Sequence, residues 1–207
     1  MTDTNTIHKP VFFISDELLM PAELNRLQDY TFSMENEFRT SQVINPHNNF
    51  GSVDYEHRRS KVLFDIGDFH PVFVDRIYSY LPTIFRRLDI LPFQVKNIET
   101  QITVTGDGGY FKMHNDNTHD ILKDRMITFV YYFNTDPKMF SGGELRLYDT
   151  SFKNGRFIAE DNCYSVEPIQ NRIIFFQSSN MHEVAKVICP SGNFRHGRFT
   201  LNGWIHK

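Results

Sequence analysis

Two histidines and an aspartate have the residue types and the spacing of a metal site. His114 and Asp116 are separated by one residue, and His182 follows 66 residues after the aspartate. Side chains two positions apart on a β-strand project from the same face, so His114 and Asp116 are expected to point the same way. Two imidazoles and one carboxylate fill one face of an octahedron and leave the other positions open, which is the ligand set of non-haem Fe(II) oxygenases.

Arg198 is a candidate for binding an anion. It lies in the block GRFTLNGWIH, where alternation places it on one face with Thr200, Asn202 and Trp204 and places apolar residues on the other. A buried guanidinium requires an anionic partner, and its planar fork matches a carboxylate. Because no acidic residue lies on this strand, a ligand carboxylate is an economical partner. Pairing with a distant Asp or Glu remains the alternative.

A pair of tyrosines in the block RMITFVYYFN offers a hydroxyl to the same pocket. Tyr131 and Tyr132 are adjacent, so they point to opposite faces of a strand and one hydroxyl points inward. A phenol beside a guanidinium can complete a carboxylate pocket. The alternative is that either ring only packs.

The elements that position these residues are predicted to be strands. Residues after Leu91 form at least eight short runs rich in β-branched and aromatic residues, separated by clusters of Gly, Asn, Asp, Pro and Ser. No gap between the runs is long enough for a helix. Aromatic residues make up 14% of the chain, which also favours sheet surfaces. The pattern predicts an antiparallel sandwich or jelly roll rather than a parallel βαβ sheet.

The first part of the chain is predicted to contain a strand and two helices. Residues 11–15 fit a short strand, and residues 17–35 fit a helix that Asp16 caps. A second helix is predicted over residues 71–89, where Pro82 could introduce a kink.

One compact domain with two parts follows from these elements. Residues 1–92 form an N-terminal strand and helices that support the barrel, and residues 93–207 form the β core. Loops at 45–60 and 117–124 are expected to frame the entrance to the site, and Arg58 and Arg59 in the first loop are expected to be a solvated pair.

Composition argues against several classes of protein. The 207 residues include 22 Lys and Arg against 25 Asp and Glu, a net charge of −3, so electrostatic binding of nucleic acid is not expected. The two cysteines do not suggest a disulfide scaffold and favour a reducing compartment. The first residues lack the features of a signal peptide, and no apolar run has the length of a bilayer span. We expect a cytoplasmic protein without a membrane partner.

Five blocks in order give the sequence a family resemblance over roughly residues 98–206. They are GDGGYFKMHND, RMITFVYYFN, FSGGELRLYD, NRIIFFQSSNMHEV and GRFTLNGWIH. The chain resembles the 2-oxoglutarate/Fe(II)-dependent dioxygenases, most closely their prolyl hydroxylase-like branch. The resemblance implies a mainly β fold, a double-stranded β-helix (jelly roll) with N-terminal helices packed on the barrel. It also implies Fe(II), 2-oxoglutarate as cosubstrate, and O₂.

The resemblance assigns roles to the candidate residues. It implies that His114, Asp116 and His182 are the iron ligands. Arg198 would bind the distal carboxylate of 2-oxoglutarate, with Tyr132 donating to the same group. No catalytic residue beyond the metal ligands is implied.

Three further residues correspond to positions that line the pocket or contact substrate in the family. Trp204 would line the floor near the metal, and Arg125 lies where the hypoxia-sensing enzymes contact substrate. The family's tyrosine three residues before the first histidine is replaced by Phe111 here, with Tyr110 one position earlier. The segment 188–197 is longer than in the hypoxia-sensing group.

The substrate that the resemblance favours is a prolyl residue in a peptide or protein. A free amino acid or a peptide natural product is the alternative substrate for the same hydroxylation chemistry. Two readings from other classes are a non-catalytic jelly-roll module that binds a metal and a zinc hydrolase with a His₂Asp site. The carboxylate pocket argues against both, and the sequence leaves the oligomeric state open.

Overall fold

Antiparallel strands make up most of the chain, and a computed structural model describes residues 6–44, 50–118, 120–153 and 155–207. Its two α-helices are α1 (Pro21–Ser33) and α2 (Phe69–Arg87). Seven short strands precede α2: β1 (Ile7–His8), β2 (Phe12–Ser15), β3 (Arg39–Thr40), β4 (Val43–Ile44), β5 (Gly51–Ser52), β6 (Arg58–Arg59) and β7 (Lys61–Leu63). The longer strands follow it: β8 (Asn97–Thr105), β9 (Tyr110–His114), β10 (Arg125–Tyr132), β11 (Ser141–Gly142), β12 (Leu145–Lys153), β13 (Arg156–Val166), β14 (Ile173–Gln177), β15 (His182–Val184), β16 (Val187–Ile188) and β17 (Arg198–His206).

Two antiparallel sheets carry the architecture. The major sheet has the strand order β2-β14-β10-β17-β8-β7-β3, and the minor sheet has the order β1-β12-β15-β9-β6 with β13 beside β12. Two-stranded pairs β11-β16 and β4-β5 complete the described strands. This is the mainly β jelly roll, or double-stranded β-helix, that the sequence predicts.

Strand β10 separates two apolar clusters because its side chains alternate between faces. Phe129 and Tyr131 belong to the larger cluster, which includes residues of both helices. Val130 and Tyr132 belong to a smaller cluster with residues of β12 and β14. Burial of each such side chain contributes roughly 1.5–3 kcal/mol, so the alternation of β10 holds the helices on one face and the minor sheet on the other.

Helix α1 begins later than predicted, and Asp16 does not cap it. The residues between Asp16 and α1 belong to no helix or strand, and two of them, Leu18 and Leu19, are buried. The carboxylate of Asp16 instead pairs with Arg172, whose Nε lies 2.7 Å from Oδ1. At the start of the helix the side chain of Glu23 accepts a hydrogen bond of 2.8 Å from the backbone N–H of Met20, the residue that precedes the helix.

Helix α2 begins two residues earlier than predicted and continues past Pro82. Pro71 lies in its first turn, where a backbone N–H would have no acceptor within the helix, so the proline does not need to mark the first residue. No helix among the described residues is long and apolar enough to cross a membrane.

Strands from before and after residue 92 share the major sheet. Strand β2 pairs with β14 at one end, and β7 pairs with β8 near the other. The division into residues 1–92 and 93–207 therefore stays a prediction, since hydrogen bonds of one sheet cross it.

Candidate metal centre and adjoining clefts

The three predicted ligands come together at the edge where β9 ends and β15 begins. His114 and His182 are direct partners across this antiparallel pair, and Asp116 follows two residues after the end of β9. One candidate ligand atom from each residue lies within 4.8 Å of the other two. The Nε2 atoms of His114 and His182 lie 3.8 and 3.5 Å from the Asp116 carboxylate.

Backbone carbonyls set which histidine nitrogens are available. Nδ1 of His114 lies 2.7 Å from the carbonyl oxygen of Lys112, and Nδ1 of His182 lies 2.9 Å from that of Asn180. A carbonyl can only accept, so each Nδ1 carries the hydrogen and each Nε2 presents a lone pair. Both lone pairs point to the aspartate side of the site, as metal-binding imidazoles require.

The protonation states also suit a cation. Burial lowers the pKa of His114 well below its ordinary value, and the nearby His182 lowers it further, so the imidazole is neutral at neutral pH. Burial would raise the pKa of Asp116, but the two histidines and a hydrogen bond from Thr128 outweigh it and leave the pKa lowered. The neutral imidazole of His114, the Nε2 atom of His182 and one buried carboxylate form a donor set that suits a divalent cation.

A hydroxyl relay that sequence reasoning missed orients Asp116. Thr128 donates to its Oδ2 at 2.7 Å, the Thr128 and Ser178 hydroxyls are 2.9 Å apart, and the Asp116 backbone N–H donates to the Ser178 carbonyl at 2.8 Å. The available signal was alternation, because Thr128 shares one face of β10 with Val130 and Tyr132 and carries a hydroxyl there.

A bulge in β9 decides which aromatic residue contacts the site. His114 pairs with His182 but Phe111 pairs with Val184, so β9 has one extra residue between the two pairs. This brings Phe111 onto the face of His114, where the two rings stack with centroids 3.5 Å apart. Tyr110 lines the cleft that adjoins the site, and its hydroxyl donates to the Tyr55 carbonyl at 2.8 Å.

The site opens into a cleft of about 580 Å³ between the two sheets, here called the inner cleft. The predicted face of β17 lines it, with Arg198, Thr200, Asn202 and Trp204. Apolar residues from both sheets also line the cleft, namely Phe111, Val130, Leu145 and Val184, together with polar side chains such as Gln101 and Thr103.

Arg198 is buried beside the inner cleft with part of its guanidinium unpartnered. The side chain is 2% exposed, and Nε donates to the Gly143 carbonyl at 2.7 Å. Nη2 and the hydroxyl of Tyr132 make no hydrogen bond of acceptable geometry among the described residues, although the two groups are close enough to affect each other's pKa. The guanidinium carbon lies 5.1 Å from the Tyr132 ring, which belongs to the smaller apolar cluster and is not among the residues that line the inner cleft. Since buried polar groups are costly without partners, this pair fits the carboxylate of a bound molecule.

The predicted alternative for Arg198, a distant acidic residue, forms no ion pair with it in the described parts of the chain; Glu144 only opposes, at longer range, the lowering of the Arg198 pKa that burial causes. None of the ion pairs there includes Arg198. Tyr131 points the other way, as the alternation predicts, and its hydroxyl donates to Asn171 at 2.8 Å.

Gly143 allows the close approach that positions Arg198. Its φ of +74° is a conformation that side chains other than glycine's rarely adopt, and a Cβ there would lie 2.7 Å from Cδ of Arg198. The carbonyl that holds Nε therefore depends on a residue without a side chain.

Arg125 and Trp204 lie at a second space of about 1090 Å³, here called the outer cleft, which continues from the inner one. Arg125 forms an ion pair with Glu99, with Nη2 2.7 and 2.8 Å from its two carboxylate oxygens, and stacks 3.6 Å from the Trp204 ring. Trp204 lines both clefts. The predicted substrate contact Arg125 thus already has a partner within the chain.

The two neighbouring arginines are not the solvated pair that we expect from the sequence. Arg58 lines both clefts, whereas Arg59 is exposed and lines a separate depression. Successive residues of β6 point to opposite sides, which separates them. Burial lowers the pKa of Arg58 to about 10, so it stays protonated at neutral pH.

The predicted entrance loops are described in part. Gly51, His57 and Leu122 line the outer cleft, and residues 45–49 and 119 lie outside the described residues. None of the residues 188–197 lines either cleft; the segment packs beside β17, with Phe194 and Phe199 rings 5.2 Å apart.

Comparisons with known proteins agree with this geometry. A family model described as the 2OG-Fe(II) oxygenase superfamily matches residues 100–206. An uncharacterized PKHD-type hydroxylase of Synechocystis is 38% identical over 200 residues, which cover 93% of this chain and 66% of that relative. The chain therefore spans just under two thirds of its length.

Solved structures have the same fold at low identity. A prolyl-4-hydroxylase of Pseudomonas putida matches with a TM-score of 0.66 and 19% identity, covering 96% of this chain and 94% of that one. A prolyl hydroxylase of Trichoplax adhaerens, solved with a peptide of hypoxia inducible factor, matches with a TM-score of 0.65 and 21% identity, covering 94% and 83%.

Proposed function

The chain belongs to the 2OG-Fe(II) oxygenase superfamily, and on that premise we propose that it hydroxylates an unactivated C–H bond of a prolyl residue in a peptide or protein. One observation carries the proposal. A single cleft joins three convergent ligand atoms to a buried guanidinium nitrogen that has no partner among the described residues. A metal and a carboxylate-bearing cosubstrate together account for both features.

His114, Asp116 and His182 would hold Fe(II). The donor set fits, because both imidazoles present Nε2 and the carboxylate is ionised and oriented by Thr128. When bound, Fe(II) supplies the O₂ chemistry that couples oxidation of 2-oxoglutarate to succinate and CO₂ with hydroxylation of the substrate.

Arg198 and Tyr132 would bind the distal carboxylate of 2-oxoglutarate. Arg198 Nη2 and the Tyr132 hydroxyl are buried donors that lack an acceptor among the described residues. The Gly143 carbonyl holds the guanidinium at Nε and leaves Nη2 for the ligand. A carboxylate there would satisfy both groups with charge-assisted hydrogen bonds.

The remaining described residues of the inner cleft include no group suited to general base catalysis. Apart from the three candidate ligands, its titratable lining residues in the described chain are Arg58, Tyr110 and Arg198. None of them is a carboxylate or an imidazole, so the cleft offers no separate general base. This supports the expectation that no catalytic residue is needed beyond the metal ligands.

The outer cleft supports a polypeptide substrate. It is larger than the inner cleft, opens beside the candidate ligands, and has an apolar wall formed by Val43, Ile44, Val62 and Phe64. The two solved structures reported above are prolyl hydroxylases by name, one of them solved with a peptide.

Anaerobic addition of Fe(II) and then 2-oxoglutarate to the apoprotein tests the proposal. We expect the weak visible charge-transfer band of the iron chelate, followed by succinate release in air with proline-containing peptides. Metal binding without the band would favour the metal-binding module or the zinc hydrolase. The band with turnover of free amino acids alone would favour the alternative substrate.

A further inference from the structure

Arg58 is a cation of the outer cleft that forms no ion pair with a carboxylate of the described chain. Its Nε donates to the Ser60 hydroxyl at 2.8 Å, and its Nη1 lies 3.5 Å from the Gln42 carbonyl oxygen. Both partners are neutral. Arg125, the other arginine lining this cleft, differs because Glu99 pairs with it at 2.7 Å.

The carboxylates and imidazoles around Arg58 are engaged elsewhere. Asp116 faces the two candidate metal-ligating histidines and accepts from Thr128, and Glu99 is bound to Arg125. Burial lowers the pKa of Arg58 and the charge of Asp116 opposes that shift, but Asp116 forms neither a hydrogen bond nor an ion pair with Arg58. His57, next to Arg58 in sequence, has its pKa lowered by burial and so adds no charge at neutral pH. The positive charge of Arg58 therefore faces the cleft without a dedicated partner.

Aromatic stacking fixes the guanidinium near the metal site. Its central carbon lies 4.6 Å from the Phe111 ring, and that ring lies 3.5 Å from the ring of His114. The stack places the charge one aromatic side chain away from a candidate ligand. This separation corresponds to about two residues of extended chain.

We propose that Arg58 binds a carboxylate of the substrate, located within about two residues of the hydroxylated carbon. The inference rests on the proposed hydroxylase function and names its substrate class. The carboxylate has two sources: an acidic side chain next to the target proline, or the α-carboxylate of a C-terminal or free amino acid. Both present the planar anion that a guanidinium binds in a bidentate manner.

Binding to the full chain, loaded anaerobically with Fe(II) and 2-oxoglutarate, tests the inference without turnover. Fluorescence anisotropy compares labelled proline peptides that carry Asp or Asn at each of the neighbouring positions. A second arm compares peptides ending in a free carboxylate or an amide directly after proline, with free proline and prolinamide as competitors. We expect one acid to bind about tenfold more tightly than its matched amide.

Matched variants assign the effect to Arg58. Arg58→Gln should reduce the preference for the acid to about twofold or less, and Arg58→Lys should retain part of it. Arg59→Gln, at the exposed neighbour on the same strand, should keep the full preference. Equal binding of acids and amides by the wild type overturns the inference, whether or not the variants fold. An acid preference that survives in Arg58→Gln overturns it as well.

Product analysis separates this inference from the proposed function. If Arg58-dependent acid preference occurs but mass spectrometry finds no hydroxylated proline in air, the prolyl function fails and the carboxylate site stands. If the matched acids and amides of both arms are hydroxylated equally well, the function stands and the carboxylate site fails. A raised KM for 2-oxoglutarate in Arg58→Gln, with the peptide preference unchanged, would assign Arg58 to the cosubstrate and reject the proposal.

Discussion

At the scale of single residues, the site has two kinds of group. Some orient the lone pairs of the candidate metal ligands, and Arg198 presents a hydrogen-bond donor that has no acceptor in the described chain. The carbonyls of Lys112 and Asn180 fix the tautomers of the two histidines, and Thr128 fixes the carboxylate. Arg198 differs, because one of its nitrogens is left without an acceptor in the described chain. The first arrangement suits a cation and the second suits an anion, so each can be perturbed without the other.

Removal of the hydroxyl that orients Asp116 should weaken metal binding. Thr128→Val keeps the shape of the side chain but cannot donate to Oδ2, and we expect about tenfold weaker Fe(II) binding, measured by anaerobic metal titration. Ser178→Ala, which removes a hydroxyl one step farther from the carboxylate, should have a smaller effect.

His182→Ala should abolish metal binding, and full activity of that variant with excess iron would contradict the ligand assignment.

Removal of the buried guanidinium should weaken cosubstrate binding but not metal binding. For Arg198→Ala we expect 2-oxoglutarate affinity to fall about tenfold to hundredfold, since charge-assisted hydrogen bonds are lost. Titration of the charge-transfer band measures this affinity, and metal content serves as the control. Unchanged affinity would show that the carboxylate binds elsewhere.

At the scale of elements, small departures from regular strand geometry determine which side chains reach the site. The extra residue in β9 brings Phe111, rather than Tyr110, onto the ring of His114. Ordinary alternation in β10 and β17 does the rest, sending Thr128 and Arg198 inward.

Gly143, two residues before the start of β12, provides a prediction at the scale of elements. Gly143→Ala places a methyl group 2.7 Å from Cδ of Arg198 and strains a backbone with φ +74°. Gly155→Ala is the matched control, because its φ is +75° but a Cβ there meets no atom within 4 Å. Both variants should lose about 1–3 kcal/mol of stability from strain, and only Gly143→Ala should also weaken 2-oxoglutarate binding. Equal effects on the cosubstrate would contradict the positioning role of residue 143.

At the scale of the whole molecule, the buried metal site couples stability to pH. The pKa of His114 is lowered well below 6.5 in the folded chain, so below pH 6.5 the unfolded chain binds a proton that the folded chain does not. The contribution of His114 to the stability of the apoprotein is therefore fully present above pH 6.5. It is lost as the pH falls from 6.5 to the lowered pKa of this imidazole.

Thermal unfolding of the metal-free chain measures this coupling. We expect the Tm to fall between neutral and mildly acidic pH. His114→Gln should reduce the slope because this imidazole is gone, and His57, whose pKa is also lowered by burial, should account for slope that remains. His8→Gln, at an exposed histidine, should keep the wild-type slope. A wild-type slope in His114→Gln would mean that another group carries the pH dependence.

The sequence by itself determined the β core, the spacing of His114 and Asp116, and the inward face of β17, because strand alternation is a local property that each segment specifies alone. It could not determine that Asp16 pairs with Arg172 instead of capping α1, since that contact joins residues distant in the chain. Nor could it separate Arg58 from Arg59: which arginine faces the clefts depends on how β6 pairs with β9, and which arginine lacks a counter-ion depends on Glu99 binding Arg125. Spacing predicts which residues share a face, but only the packing of the sheets decides what that face meets and which charges are left unpaired.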